Sequence, residues 1–158
     1  MTAETRPQTD PLLYWEDFRE GEVREFGATE VKRDDIVRFA SEFDPQPFHL
    51  DEDAARATMF GGLIASGWHT ASMAMRMMCD GYLHRAASLG SPGVESLKWL
   101  RPVRPGDTLR VRMTVLERRP LKSKPGVGIV KSRHEVLNQH DEVVMEMQAA
   151  GMFGRRPA

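Results

Sequence analysis

The stretch SGWHTASMAMRMMCDGY, residues 66–82, limits the possible folds more than any other. Trp68, Ala71, Met75, Met78 and Tyr82 fall on one helical stripe, and Met73, Ala74 and Met77 add apolar surface beside it. A helix that is apolar almost all round belongs inside other structure. Ser66 reads as its N-cap, and Gly81 lies near its C-terminal stop. After Gly90 the apolar period changes to two. Leu97 and Trp99 alternate with polar neighbours, and so do Leu109, Val111, Met113 and Val115. Val130, Ser132, His134 and Val136, then Val143, Met145, Met147 and Ala149, repeat the pattern. These are four half-buried strands. Pro105-Gly106-Asp107 reads as a turn between strands, while Lys124-Pro125-Gly126 and Asn138–Asp141 suit hairpins. The predicted class is α+β, an antiparallel sheet wrapped around one long buried helix. The other sheet face needs partial cover, which a second subunit would supply.

A chain of 158 residues is the size of one domain, expected over residues 11–158, with a polar and disordered segment at 1–10. Its 22 basic and 23 acidic side chains leave a net charge of −1, which gives no bulk attraction to nucleic acid or an anionic membrane. Cys79 is the only cysteine, so no disulfide can form within the chain and a reducing compartment is expected. No secretory leader and no apolar run of membrane-spanning length is seen, so the expected location is cytoplasmic.

The first third is read as a leading loop, a short strand near Glu22–Phe26, and a helix after Asp34 and Asp35. Ile36, Phe39, Ala40 and Phe43 share a face of that helix, an aspartate caps it, and Pro45 ends it. DEDAARA, residues 51–57, reads as a short helix with an acidic first turn.

Asp44 and His49 stand between these helices, off any regular helix in this reading. Pro45 and Pro47 fix two φ angles between them, so the segment can hold a carboxylate and an imidazole toward one point. That pairing suits general acid–base work on water. Spacing alone fits an ordinary Asp-Pro turn equally well. Downstream, Gly61–Gly67 runs straight into the apolar helix. A helix start offers free amides and positive potential, which would stabilise a developing enolate. Gly67 lets a ligand approach its backbone, and an added methyl there would intrude on substrate. A flexible linker is the alternative reading of the same glycines.

FASEFDPQPFHLDEDAARATMFGGLIASGWHT, residues 39–70, resembles the MaoC-like hydratases, a family that includes (R)-specific enoyl-CoA hydratases of the hot-dog fold. PVRPGDTL, residues 102–109, supports the resemblance, as does the helix-then-strands order. The family motif runs small-Gly-Asp-x-Asn-Pro-aliphatic-His, and Asp44, Pro47 and His49 match its Asp, Pro and His. Gly67 matches the glycine whose amide forms the oxyanion site. Phe43, Gln46, Phe48 and Ser66 depart from the usual glycine, asparagine, aliphatic residue and histidine. The first three departures alter the pocket wall, and none removes the Asp–His pair.

The resemblance implies water addition to a trans-2-enoyl-CoA, or the reverse dehydration. Asp44 and His49 would be catalytic, with Gly67 and Ser66 at the oxyanion and substrate-binding position. Gln46, Phe48, Trp68 and His69 are candidate pocket residues. No metal or redox cofactor is implied, since coenzyme A is part of the substrate. A homodimer or higher even-numbered oligomer is implied, with the sites at the interface. A hot-dog acyl-CoA thioesterase and a non-catalytic acyl-CoA-binding subunit are the competing functions. Among the remaining residues, His69 reads more readily as a packed or capping histidine, Cys79 and the methionines as core. Arg118, Arg119, Lys122 and Lys124 cluster around one hairpin, where phosphates or solvent would meet them.

Overall fold

The computed structural model describes residues 12–158, so the segment expected to be disordered, 1–10, lies outside the described residues. In chain order come β1 (Val23–Glu30), α1 (Arg33–Phe43), α2 (Pro47–Leu50), α3 (Glu52–Arg56) and α4 (Gly67–Gly81). The strands β2 (Gly93–Trp99), β3 (Thr108–Pro120), β4 (Val127–Leu137) and β5 (Val143–Gly154) complete the chain. They form one antiparallel sheet in the order β1-β3-β4-β5-β2. The α+β class stands, and the long helix lies against the sheet as expected of a hot-dog fold.

Burial of α4 holds the two layers together. Ala74 and Met77 pack with Leu109, Val111, Val136 and Met145, which project from β3, β4 and β5. Toward the C-terminal end, Met78 and Tyr82 pack with Phe18, Met113, Val130 and Phe153. Tyr82 sits near edge-on to Phe18, with ring centroids 6.2 Å apart. Each such fully buried large side chain contributes on the order of 1.5–3 kcal/mol. Among the described residues, no helix is long and apolar enough to cross a membrane.

The phase of α4 differs from the sequence expectation. His69, Thr70, Ala74, Met77 and Met78 form its buried side, while Trp68 is 59% exposed and Met75 is also exposed. With apolar residues on several faces, periodicity could not choose which face the sheet covers. Trp99 likewise leaves the sheet interior. The strand β1 runs past Phe26 to Glu30 through an irregular register, with Gly27 at φ +90°. A side chain at Gly27 would overlap Met77, so the close approach of β1 to α4 also requires glycine. Along β5 a register shift opposite Val136 and Leu137 buries Val144 instead of Val143. Neither aspartate caps α1. Lys32 occupies the cap position without a side-chain bond, and Asp34 and Asp35 lie in the first turn.

His134, on β4, faces the core and is buried. Burial pushes its imidazole down to about 4, so it is neutral at pH 7. An unfolded histidine titrates near 6.5. Between these values the unfolded chain binds the extra proton, so stability present above about pH 6.5 is lost as pH falls toward 4. The loss is on the order of 3 kcal/mol. Urea melts of His134→Leu should show a flatter decline over this range than the parent chain. Equal slopes would show that another group governs this limb.

Candidate active site

Asp44 is placed by the end of α1. Its amide donates to the Ala40 carbonyl at 2.9 Å, and its backbone has left the helical region. Pro45 enforces that departure. The chain then forms α2, which begins at Pro47 and contains His49. The sequence expectation of a loop is corrected here. Proline is well suited to a helix's first position, where its missing amide hydrogen has no intrahelical acceptor to lose. One turn is enough to carry His49 inward, where it is buried.

Three side chains converge on Asp44. The Ser66 hydroxyl donates to Oδ2 at 2.7 Å, and the Gln46 amide donates to Oδ1 at 2.6 Å. His49 Nε2 lies 3.2 Å from Oδ2. The Ser66 bond, opposed by partial desolvation and reinforced by Gln46 and His49, holds the carboxyl below the usual carboxylate range. Asp44 is therefore an anion at neutral pH. Ser66 precedes α4 but makes no side-chain cap bond, because its hydroxyl is directed to Asp44. Ser66 holds the expected cap position of α4, and through its side chain it fastens the helix to the carboxylate.

The tautomer of His49 follows from its other nitrogen. Nδ1 lies 2.8 Å from the Ile64 carbonyl, which can only accept, so Nδ1 carries a hydrogen. Nε2 is then the nitrogen that exchanges protons. It holds a lone pair in the neutral ring and a second hydrogen in the charged one, whose positive charge then lies 3.2 Å from Asp44 Oδ2.

A cavity of about 520 Å³ opens beside this pair. His49, Phe48, Ile64, Gly67, Trp99 and Arg104 are among its lining residues, whereas Asp44 and Ser66 are not. His49 thus lines the cavity, with the partly exposed Asp44 carboxylate 3.2 Å from its Nε2. Gly67 opens α4, where the first amides have no intrahelical acceptor. Of the other sequence candidates, Phe48 lines the cavity. Gln46 does not, since it is spent on Asp44. Trp68 points to solvent, edge-on to Trp99 at 5.1 Å between centroids. His69 is buried and stacked on Phe39 at 4.8 Å, as a packed histidine. Arg118 is held by the Glu16 and Phe18 carbonyls and lies over Trp15, so it is no free phosphate ligand. Among the described residues, no group of three or more His, Cys, Asp or Glu side chains is arranged to hold a metal ion.

Sequence reasoning missed Trp99, Arg101 and Arg104 as cavity residues. Alternation along β2 places Trp99 in the sheet interior. Instead, it donates from Nε1 to the Gly67 carbonyl at 2.9 Å and lies flat against that residue. A methyl at Gly67 would fall inside the indole, so the expectation that it meets substrate first is corrected. Gly67→Ala should shift tryptophan emission and lower stability by about 1–3 kcal/mol, the usual cost of overpacking. An unchanged emission spectrum and melting curve would show that Trp99 does not rest on Gly67.

The sequence profile of the MaoC-like domain matches residues 17–137. A 3-hydroxybutyryl-CoA dehydratase from Methylorubrum extorquens is 31% identical over 143 residues, covering 87% of this chain and 82% of that protein. An (R)-specific enoyl-CoA hydratase from Rhodospirillum rubrum is 34% identical over 111 residues, 66% of this chain and 70% of its own length. The crystal structure of a MaoC-like dehydratase from the same organism superposes with a TM-score of 0.87 at 45% identity, covering 92% of this chain and 99% of that one. With the family profile extending over most of the sheet and both helices that hold Asp44 and His49, the chain belongs to the MaoC-like dehydratase family.

Proposed function

We propose that this protein adds water to a trans-2-enoyl-CoA to give the (R)-3-hydroxyacyl-CoA, or catalyses the reverse. The observation that carries this reading is the His49–Asp44 pair beside a cavity that is lined by His49 and by Gly67 at a helix start. In the hydration direction a water oxygen bonds to C3 while His49 Nε2 takes its proton. The C2=C3 pair becomes the C1=C2 bond of an enolate and the carbonyl pair moves onto the thioester oxygen, where the Gly67 amide and the α4 dipole stabilise the charge. Asp44 stabilises the imidazolium formed. The enolate then collapses, and the same Nε2 proton passes to C2. Donor bonds from Ser66 and Gln46 keep Asp44 an anion, which suits it to this supporting role better than to carrying a proton. The relatives named above support the substrate class and the R configuration.

Crotonyl-CoA tests the reading. Enoyl absorbance should fall with no release of thiol. Thiol release would instead identify a thioesterase, and neither change would favour a binding subunit.

Assembly is part of the same proposal. β1 and β2 are the sheet edges; β2 carries exposed Val94 and Trp99, and exposed Leu100 follows it. An edge of this kind calls for a partner strand. A dimer or an even-numbered higher oligomer is expected, and light scattering should give at least twice the mass of one chain. A stable, active monomer would overturn this.

A further inference from the structure

The amide that would meet the thioester oxygen belongs to a glycine, the residue with the greatest backbone freedom, at the first position of α4. Helix ends fray, and the amides there have no intrahelical acceptor to hold them. Stabilising a developing charge demands the reverse, a donor already aimed before the charge appears. Contacts from outside the helix must therefore hold Gly67 still.

On the amide side, the Ser66 hydroxyl donates to Asp44 at 2.7 Å and the Ala65 amide donates to the Val103 carbonyl at 2.8 Å. Both bonds stop short of Gly67 itself. Trp99 reaches it. Nε1 donates to the Gly67 carbonyl at 2.9 Å, and three atoms of the indole lie against the position a Gly67 Cβ would take. The ring thus sets the direction of the carbonyl by a hydrogen bond and blocks displacement of Cα by contact. Ser66 holds the peptide before this glycine and Trp99 the peptide after it, so both of its soft dihedrals are fixed. Trp99 is itself well anchored. It ends β2 opposite Met145, and the next two amides, of Leu100 and Arg101, donate to the Val144 carbonyl at 2.8 and 3.3 Å. Trp68 packs edge-on against its ring.

We propose that Trp99 is a positioning residue: by holding the carbonyl and Cα of Gly67 it aims the Gly67 amide at the thioester oxygen. The identity of that oxygen rests on the hydratase reading, whereas the hold of the indole on the glycine does not. Proton transfer stays with His49 and Asp44, which Trp99 does not touch. Loss of the indole therefore slows the chemical step without moving the pH at which the rate changes.

Two variants of the full chain test this. Trp99→Phe keeps a flat ring over Gly67 and removes the N–H donor. It should lower kcat for crotonyl-CoA about fivefold, the scale of one net hydrogen bond. Trp99→Ala removes the ring as well and should lower kcat about 10²-fold, approaching the loss of a whole oxyanion donor. In both, KM should change less than kcat, and the pH profile of kcat should keep the inflections of the parent. By NMR relaxation, the order parameter of the Gly67 amide should fall from parent to Trp99→Phe to Trp99→Ala, while the Asp44 and His49 amides stay rigid. Should Trp99→Ala fail to fold, Trp99→Phe carries the test alone. Parental kcat per folded molecule, or an unmoved Gly67 order parameter, would overturn the proposal. A displaced pH profile would also overturn it, by placing the effect of Trp99 on the His49–Asp44 pair. A parent chain that does not hydrate crotonyl-CoA would refute the reaction alone, and the order parameters would still decide whether Trp99 holds Gly67.

Discussion

His49→Gln should lower hydration of crotonyl-CoA by about 10²- to 10⁴-fold, the range that a positioned acid–base group supplies. Glutamine keeps a donor for the Ile64 carbonyl, which His49 Nδ1 now satisfies at 2.8 Å. It cannot take up and return a proton at neutral pH. Alanine would be a poorer probe, because it leaves that buried carbonyl unpaired, at about 1–3 kcal/mol, and opens a hole beside Phe48. A loop position, as read from the sequence, implies that substitution of His49 changes folding little. Its burial in α2 reverses that expectation for alanine. Turnover and a denaturant melt should be measured on the same preparation. Near-parental turnover by a folded His49→Gln protein would remove His49 from the mechanism.

Asp44→Asn should cost about 10²-fold or more in turnover, with the loss in kcat rather than in KM. Asparagine preserves the shape but removes the charge that supports the imidazolium once Nε2 has taken the water's proton. It also disturbs two donor bonds, those from Ser66 and Gln46. The same substitution has a signature in stability. In the folded chain the Asp44 carboxyl titrates below its ordinary range, so the stabilisation it gives is present above the unfolded value. That stabilisation is lost as pH falls through the lower, folded value. Asp44→Asn should remove this part of the acid dependence. The group is partly solvated, so the effect on stability is small beside the effect on turnover. If kcat holds while KM rises, Asp44 binds substrate instead of supporting His49.

Much of this molecule is legible in its sequence. Alternation marked β3, β4 and β5 because a strand half-buried on one sheet face repeats every two residues. The helix α4 was legible because its near-continuous apolar surface had no stable place except inside. Asp44, His49 and Gly67 were legible because prolines and glycines restrict or free the backbone through their own covalent structure, a local property that sequence carries directly. The family resemblance then joined these residues into one site.

The tertiary structure decided everything that depends on which surfaces meet. It chose the buried face of α4 among several apolar ones, turning Trp68 outward and His69 inward onto Phe39. It took Ser66, a plausible cap, and aimed its hydroxyl at a carboxylate 22 residues earlier. Trp99 is laid over Gly67 from 32 residues away, which makes that glycine obligatory for packing as well as for approach. The Ile64 carbonyl fixes the tautomer of His49 across 15 residues. Each of these contacts joins residues distant in sequence, and local patterns contain no information on such distances. Sequence by itself determined the elements and the reactive residue types. The packing of α4 against the sheet decided which of those residues face the cavity and which hold them in place.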